Sequence, residues 1–342
     1  MGQVTIKDIA KICGVGVSTV SRAINNHPDI NPETKQLIMD TIQEYNYVPN
    51  NSAQNLKRVE SNTIALLTKG VGNPLFAEMI QTVQSDVLGK DYLFVLQQVD
   101  EMENELEVGA RLANEKRLKG MIFMGGASRP KEELLARIQV PYVICTVDAV
   151  MPENMDHYGI VAIDDEAESY RLIDYLCRMG HKKIAIITAY AHDTSIGKLR
   201  LDGYRRALAD HGIECADSLV VHMPAKGQVY TMKNGYDQTM KLLQSGAKFT
   251  AVYAISDTLA IGACKAIFDY GLKVPDDISV VGCDGLDMAS YYQPAITTIE
   301  QPLTEMALET SRILFELIRD KGGRRKHIFE ARIREGQSVR RI

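Results

Sequence analysis

The chain has 342 residues, 45% of them hydrophobic and 24% charged, with a formal net charge of -5. This length and mix predict a globular protein of two or three domains and exclude a disordered or collagen-like chain. No apolar run is long enough to span a bilayer, the start "MGQVTIKDIA" lacks the pattern of a secretion signal, and the six cysteines stand singly. These features predict a cytoplasmic protein with reduced thiols, no membrane partner and no zinc site.

In chain order, the first predicted helix runs from Ile6 to Ile12, with Ile6, Ile9 and Ala10 on one face. It stops at Gly14, which accepts the left-handed backbone that ends a helix. A second helix buries Val20, Ala23 and Ile24 and turns Val17, Ser18, Ser21, Arg22 and Asn25 outward. Two short helices joined by such a turn, the second with a hydrogen-bonding face, make the helix-turn-helix pattern of DNA-binding proteins. An ordinary helical bundle with one solvated face gives the same pattern. A third helix is signalled by Asn31 as cap, Pro32 in the first position and Glu33 at the positive end, with Ile38, Ile42 and Tyr45 pointing back to the first two. Lys7, Lys11, Arg22, Lys35, Lys57 and Arg58 are offset one for one by Asp8, Asp29, Glu33, Asp40, Glu44 and Glu60. Non-specific attraction to DNA is therefore weak, and a dimer is needed to gather enough phosphate contacts.

The stretch "YVPNNSAQNLKRVESN" that follows is a polar linker, and its segment from Ser52 to Arg58 is too short to hold a helix alone. From Asn62 onward strand-like runs alternate with amphipathic helices: "TIALLT", "YLFVLQQ", "GMIFMGG" and "PYVICTVD", then "KKIAIITAY", "SLVVHM", "TAVYAIS" and "ISVVGCDG". This alternation predicts two parallel α/β halves facing each other across a cleft, with polar groups at the strand ends looking into it. A ligand belongs in that cleft.

Enzyme signatures are missing from the same loops. "GVGNPL" and "FMGGAS" do not complete a dinucleotide fingerprint, there is no phosphate loop, nucleophile elbow or metalloprotease pair, and the seven histidines are scattered. The chain thus reads as a binding protein with no catalytic residue, metal or cofactor. Two rival readings share this body: a solute-binding protein of transport, which the helical head argues against, and a Rossmann-type enzyme.

The segments "VTIKDIAKICGVGVSTVSRAINN", "YVPNNSAQNLK", "GNPLFAEMI", "LDGYRRAL", "VPDDISVVGCDG" and "ITTIEQP" occur in order and resemble the successive signatures of the LacI/GalR family of bacterial transcription regulators. The resemblance runs from residue 4 to about residue 338. It implies a homodimeric repressor that reads a palindromic operator and senses a sugar or related polar metabolite. By resemblance, Val17, Ser18 and Arg22 reach base edges, with Arg22 the bidentate donor to a guanine. Thr5, Thr19, Ser21 and Asn25 contact phosphate or close helix ends. Leu56 is the minor-groove wedge of a hinge helix, beside Lys57. Gly16 departs from the family, which usually has a capping serine there.

For the effector, the resemblance points to Arg200 and Asp284 as hydroxyl-binding groups, Tyr230 as the stacking aromatic, Asp148 at a strand end, and Asn73 and Phe76 at the cleft rim. Ser256 stands where many members have Asn, and Gly285 where many have a second acid. Arg200 and Asp284 can also be read as a structural ion pair across the cleft. The expected architecture is an all-α helix-turn-helix head, residues 1–49, a hinge, 50–61, and an α/β body of two Rossmann-like parallel-sheet subdomains of periplasmic-binding-protein type. The first subdomain takes residues 62–161 plus about 299–325, and the second 162–298 plus about 326–342.

Overall fold

The computed structural model describes residues 5–24, 27, 30–45, 61–69, 72–100, 103–224 and 227–342. The chain divides into a head, Met1–Val59, and a body, Glu60–Ile342.

Three helices build the head: α1 (Ile6–Ile12), α2 (Val17–Ile24) and α3 (Pro32–Glu44). A capping box starts α1: the Asp8 N–H donates to Thr5 Oγ1 at 3.4 Å, and the Thr5 N–H donates to Asp8 Oδ2 at 2.9 Å. Gly14, at φ +67°, breaks the chain before α2. Asn31 caps α3 by accepting from the Glu33 and Thr34 N–H groups at 2.8 and 3.3 Å. Ile9, Ala10, Val20, Ala23 and Ile38 form the core, with Ile6, Ile24 and Ile42 half-buried against it. Tyr45 does not join them. It caps the end of α3 and is 43% exposed, while Thr41 takes the buried place and receives the Cys13 thiol at 3.3 Å.

Two six-stranded sheets form the body. The first runs in the order β11-β5-β4-β3-β1-β2, with β1 Thr63–Lys69, β2 Leu93–Val99, β3 Gly120–Met124, β4 Tyr142–Cys145, β5 Tyr158–Ile163 and β11 Arg324–Phe329. The second runs β12-β10-β9-β8-β6-β7, with β6 Ile184–Thr188, β7 Val220–His222, β8 Ala251–Ala254, β9 Ser279–Asp284, β10 Thr297–Glu300 and β12 Arg332–Arg334. All pairings are parallel except β10 with β12. Strands covered on both faces read as unbroken apolar runs, and β3, β4, β6 and β8 are buried throughout. The edge strand β2 has Leu93 and Leu96 exposed.

The helices are α4 (Pro74–Leu88), α5 (Glu105–Lys116), α6 (Glu132–Leu135), α7 (Asp165–Arg178), α8 (Ile196–Asp210), α9 (Met232–Gln244), α10 (Asp257–Asp269), α11 (Asp287–Tyr291) and α12 (Leu303–Asp320). Asn73, Asn104, Asp164, Thr231 and Ser256 each accept a first-turn N–H, so α4, α5, α7, α9 and α10 begin where their cap residues place them. The sequence places body helices at residues 76–88, 104–117, 198–211, 236–244 and 257–270 and in "LTEMALETSRILFELI", and it leaves out β5, β10, β11, β12, α6, α7 and α11.

The chain passes between the sheets three times, after β5, after β10 and after β11. Helix α12 returns to the first sheet and packs on α4, β4 and β5. The expected last boundary near residue 326 falls inside β11, whose six residues pair with β5 from Arg324↔Tyr158 to Phe329↔Ile163. Among the described residues no helix is long and apolar enough to cross a membrane.

Candidate DNA interface and effector cleft

On α2 the buried positions Val20 and Ala23 fix which side faces water. Val17, at 42% exposure, Ser18 and Arg22 lie exposed, and Thr19 and Ser21 are half-buried beside them. The helix therefore presents an apolar tip, hydroxyls and a guanidinium on one side. Thr5 spends its hydroxyl and N–H on the capping box, which makes it a helix-end residue in this fold. Asn25, Leu56 and Lys57 lie outside the described residues.

In the body, a cavity of about 310 Å³ lies at the C-terminal ends of β1, β3, β4 and β6. Asn73, Phe76, Arg200 and Tyr230 all line it. Asn73 Oδ1 accepts from the Leu75 N–H at 3.1 Å, which fixes the start of α4 and aims Phe76 at the cleft. Arg200 is 2% exposed, and its Nε donates to Asp165 Oδ1 at 2.8 Å. Its Nη1 donates to the Ile255 carbonyl and lies 3.5 Å from Asp284 Oδ1.

Three expected residues are placed elsewhere. Asp284 is 1% exposed and stands behind the wall, receiving Gln301 Nε2 at 3.2 Å while its own carbonyl accepts the Gln301 N–H at 3.3 Å. Its φ of +128° is one that side chains rarely adopt, and Gln301 holds it there. Ser256 is fully buried as the cap of α10, its Oγ accepting from the Leu259 N–H at 3.3 Å and lying in hydrogen-bond contact with Thr258 Oγ1 at 2.9 Å. Asp148 pairs with Lys326 at 2.6 Å, outside the lining. The Arg200–Asp284 pair lies within the second subdomain, not across the cleft, because α8 and β9 both belong there.

Sequence reasoning missed much of the wall: Lys69, Glu105, Thr146, Tyr190, Asp193 and Gln301. Lys69 ends β1, and its Nζ donates to the Glu103 carbonyl at 2.9 Å and to Glu105 Oε2 at 3.4 Å. Glu105 Oε1 accepts the Ala127 N–H at 3.3 Å, and a Cβ on Gly126 would fall 2.6 Å from it, so only glycine lets the loop after β3 sit there. Asp193 accepts the Ser195 and Lys198 N–H groups at 3.2 and 3.1 Å at the start of α8. The signal for several of these was position at a strand's end, as in "LLTK" and "ICT". Asp165, the main partner of Arg200, opens the overlooked α7.

Burial pushes the carboxyls of Asp165 and Asp284 well up from their ordinary value, against the pull of Arg200. Burial likewise raises the Tyr230 phenol, with Asp193 adding to it, so the Tyr230 hydroxyl stays neutral. Across the cleft, Ser128 donates its N–H and its hydroxyl to the Thr194 carbonyl at 2.8 and 2.7 Å. Ile196 of α8 packs against the apolar cluster of the first subdomain.

A helix-turn-helix head thus precedes a two-sheet body with a cavity at its strand ends. Residues 5–50 match the bacterial regulatory proteins of the lacI family, and residues 173–339 match a periplasmic binding protein-like domain. The HTH-type transcriptional regulator MalR of Clostridium butyricum is 38% identical over 335 residues, 97% of this chain and 98% of that protein. The chain belongs to the LacI family. Another relative of this regulator, the transcriptional repressor PurR of Pasteurella multocida, is 31% identical and covers 94% of each chain. Among solved structures, the Lac repressor dimer bound to operator and an anti-inducer matches 99% of this chain and 100% of that one, at a TM-score of 0.75 and 24% identity. A complex of the regulator CelR with cellobiose matches 98% and 100%, at a TM-score of 0.70 and 27% identity. This LacI-family member is thus a ligand-responsive transcriptional regulator, with the head for DNA and the cleft for its effector.

Proposed function

We propose that this regulator is a cytoplasmic repressor that binds a palindromic operator as a homodimer and releases or tightens on it when a sugar enters the cleft. The observation that carries the reading is the combination of an exposed polar face on α2 with a polar, aromatic-walled cavity closed from both subdomains. Val17, Ser18 and Arg22 read base edges, while Thr19, Ser21 and Asn25 steady the head on the backbone. Leu56 and Lys57 serve as the minor-groove contacts of the hinge. In the cleft, Phe76 and Tyr230 pack on the faces of a sugar ring, and Asn73 and Arg200 meet its hydroxyls. Asp284 acts through Arg200 and Gln301, which it holds from behind.

Selection from a random double-stranded DNA pool with the full chain tests the first half. The enriched site should be a palindrome of two half-sites, and enrichment of no symmetric site would overturn the reading. A thermal-shift screen against sugars tests the second, since a ligand that binds only the native state raises its melting temperature. A sugar that shifts melting should also change operator affinity in the same preparation.

A further inference from the structure

The strongest anion-binding groups around the cleft are already matched to acidic or carbonyl partners of the chain itself. Anion sites in proteins use cations left unmatched or free N–H groups at helix N-termini. Among the described residues, the cations lining the cavity are Lys69 and Arg200, with His192 exposed at its edge. The Lys69 ammonium is committed to Glu105 and the Glu103 carbonyl. Arg200 gives its Nε to Asp165 and its Nη1 to Asp284 and the Ile255 carbonyl, so its charge is matched and Nη2 is left for a hydroxyl.

The helix starts around the cleft carry caps of their own. Helix α4 starts with a proline, which has no N–H, and its next two amides go to Asn73. At α5 the Leu106 and Glu107 amides go to Asn104 Oδ1. At α8 the group beside the helix start is itself an anion, the Asp193 carboxylate, which takes the Ser195 and Lys198 amides. Glu105 and Asp193 put two carboxylates on the wall, and both cations there already face carboxyl groups.

We infer that the effector of this cleft is an uncharged sugar and that the cleft rejects phosphorylated sugars and sugar acids. The inference builds on the reading of the cleft as a sugar sensor and narrows it. Carboxylates that repel an anion are good acceptors for neutral hydroxyls, and the Tyr230 hydroxyl, held neutral, is available to the same ligand. A phosphate ester brought here meets two wall carboxylates and cations already matched, so its desolvation is poorly repaid.

Isothermal titration calorimetry on the full chain tests this with matched probes: glucose against glucose 6-phosphate and glucuronate, ribose against ribose 5-phosphate, and maltose and cellobiose against their phosphate esters. The tightest binder should be neutral, and its charged counterpart should bind at least about tenfold more weakly. A charged sugar that binds as tightly as its neutral counterpart, or more tightly, overturns the inference while leaving the sugar reading intact. Silence across both neutral and charged arms overturns the sugar reading itself, and the inference falls with it. In a second arm, Asp193→Asn should narrow the gap between neutral and charged probes at least threefold, with Glu105→Gln as the parallel variant should the first fail to fold. An unchanged gap in the folded variant refutes the electrostatic exclusion.

Discussion

Ser128 and Thr194 meet across the effector cleft, where one carbonyl oxygen of the second subdomain takes both the backbone N–H and the hydroxyl of a buried serine of the first. With Ile196 seated two residues further on against the first subdomain's apolar cluster, the cleft is clasped by a polar and an apolar contact side by side. Ser128→Ala removes the hydroxyl bond and leaves the amide bond. At about 1 kcal/mol for such a bond, effector affinity should fall about fivefold. Calorimetric titration with the tightest-binding sugar reads this directly, and an unchanged affinity would remove the hydroxyl from the closing mechanism.

Arg200 is a structural keystone before it is a ligand contact. Arg200→Met leaves Asp165 and Asp284 buried without their cation, a change that costs about 3–5 kcal/mol. The denaturant midpoint of the body should drop accordingly, while the head, a separate unit with its own core, keeps its own. Adding Asp165→Asn and Asp284→Asn to the same chain should recover part of the loss. A body of full stability in the single variant would show that the cluster is not held by charge.

Much of this was legible in the sequence, and the failures have physical causes. For α1 both ends are readable to the residue, because a periodic apolar face and Gly14 agree. Tyr45 was misread because spacing alone continues a helix face past its last turn, where a ring with a hydroxyl is as well placed in water. The pair Arg200 and Asp284 was found by resemblance, but their depth was not, since a sequence does not distinguish a charge on a wall from one behind it. Ser256 illustrates the same limit: a serine before an apolar helix is both a plausible ligand group and a good cap, and here the cap wins. Helix α7 was overlooked because its charged first turn hid the apolar face of Leu172, Ile173 and Leu176.

Arg22→Ala should cost about 1–3 kcal/mol of discrimination between operator and scrambled DNA, with the melting temperature unchanged because Arg22 lies outside the head's core. Competition binding at two salt concentrations separates loss of base reading from loss of a phosphate contact. Equal discrimination by variant and parent would move the reading face off α2.

Thr5→Ala has the opposite signature. It breaks the capping box and should destabilise the head by about 1 kcal/mol, visible as a lower melting temperature of the head. Undiminished stability would free Thr5 for a direct role on phosphate.

His181 supplies a pH test. It is 1% exposed, with its ring nitrogens on Thr250 Oγ1 at 2.9 Å and the Arg340 carbonyl at 3.1 Å, and burial holds its pKa below the ordinary value. The unfolded chain then binds a proton that the folded chain refuses. The stability this neutral ring permits is fully present above pH of about 6.5 and is lost as pH falls from there through the lower folded pKa. Asp257 and Asp284, raised by burial, act the other way, losing stability as pH rises from about 4 through their folded values. The contrast between parent and His181→Gln therefore isolates the histidine: urea midpoints should converge on going from pH 7.5 to 5.5. Parallel lines would show that His181 does not titrate differently in the two states.

Because the chain crosses between the two halves of the body three times, neither half is a continuous stretch of gene. A recombinant that joins residues 1–163 of one parent to the rest of another carries a foreign α12 and β11 into the first sheet. There Ile313 and Leu314 lie close against Gly159 and Gly120, a fit that two diverged parents do not share. Exchange of the entire body behind the head needs one junction only, in the stretch just before Glu60. Descent in such a molecule should therefore pair old heads with new bodies, while new tastes within one body arise by single substitutions in the cleft.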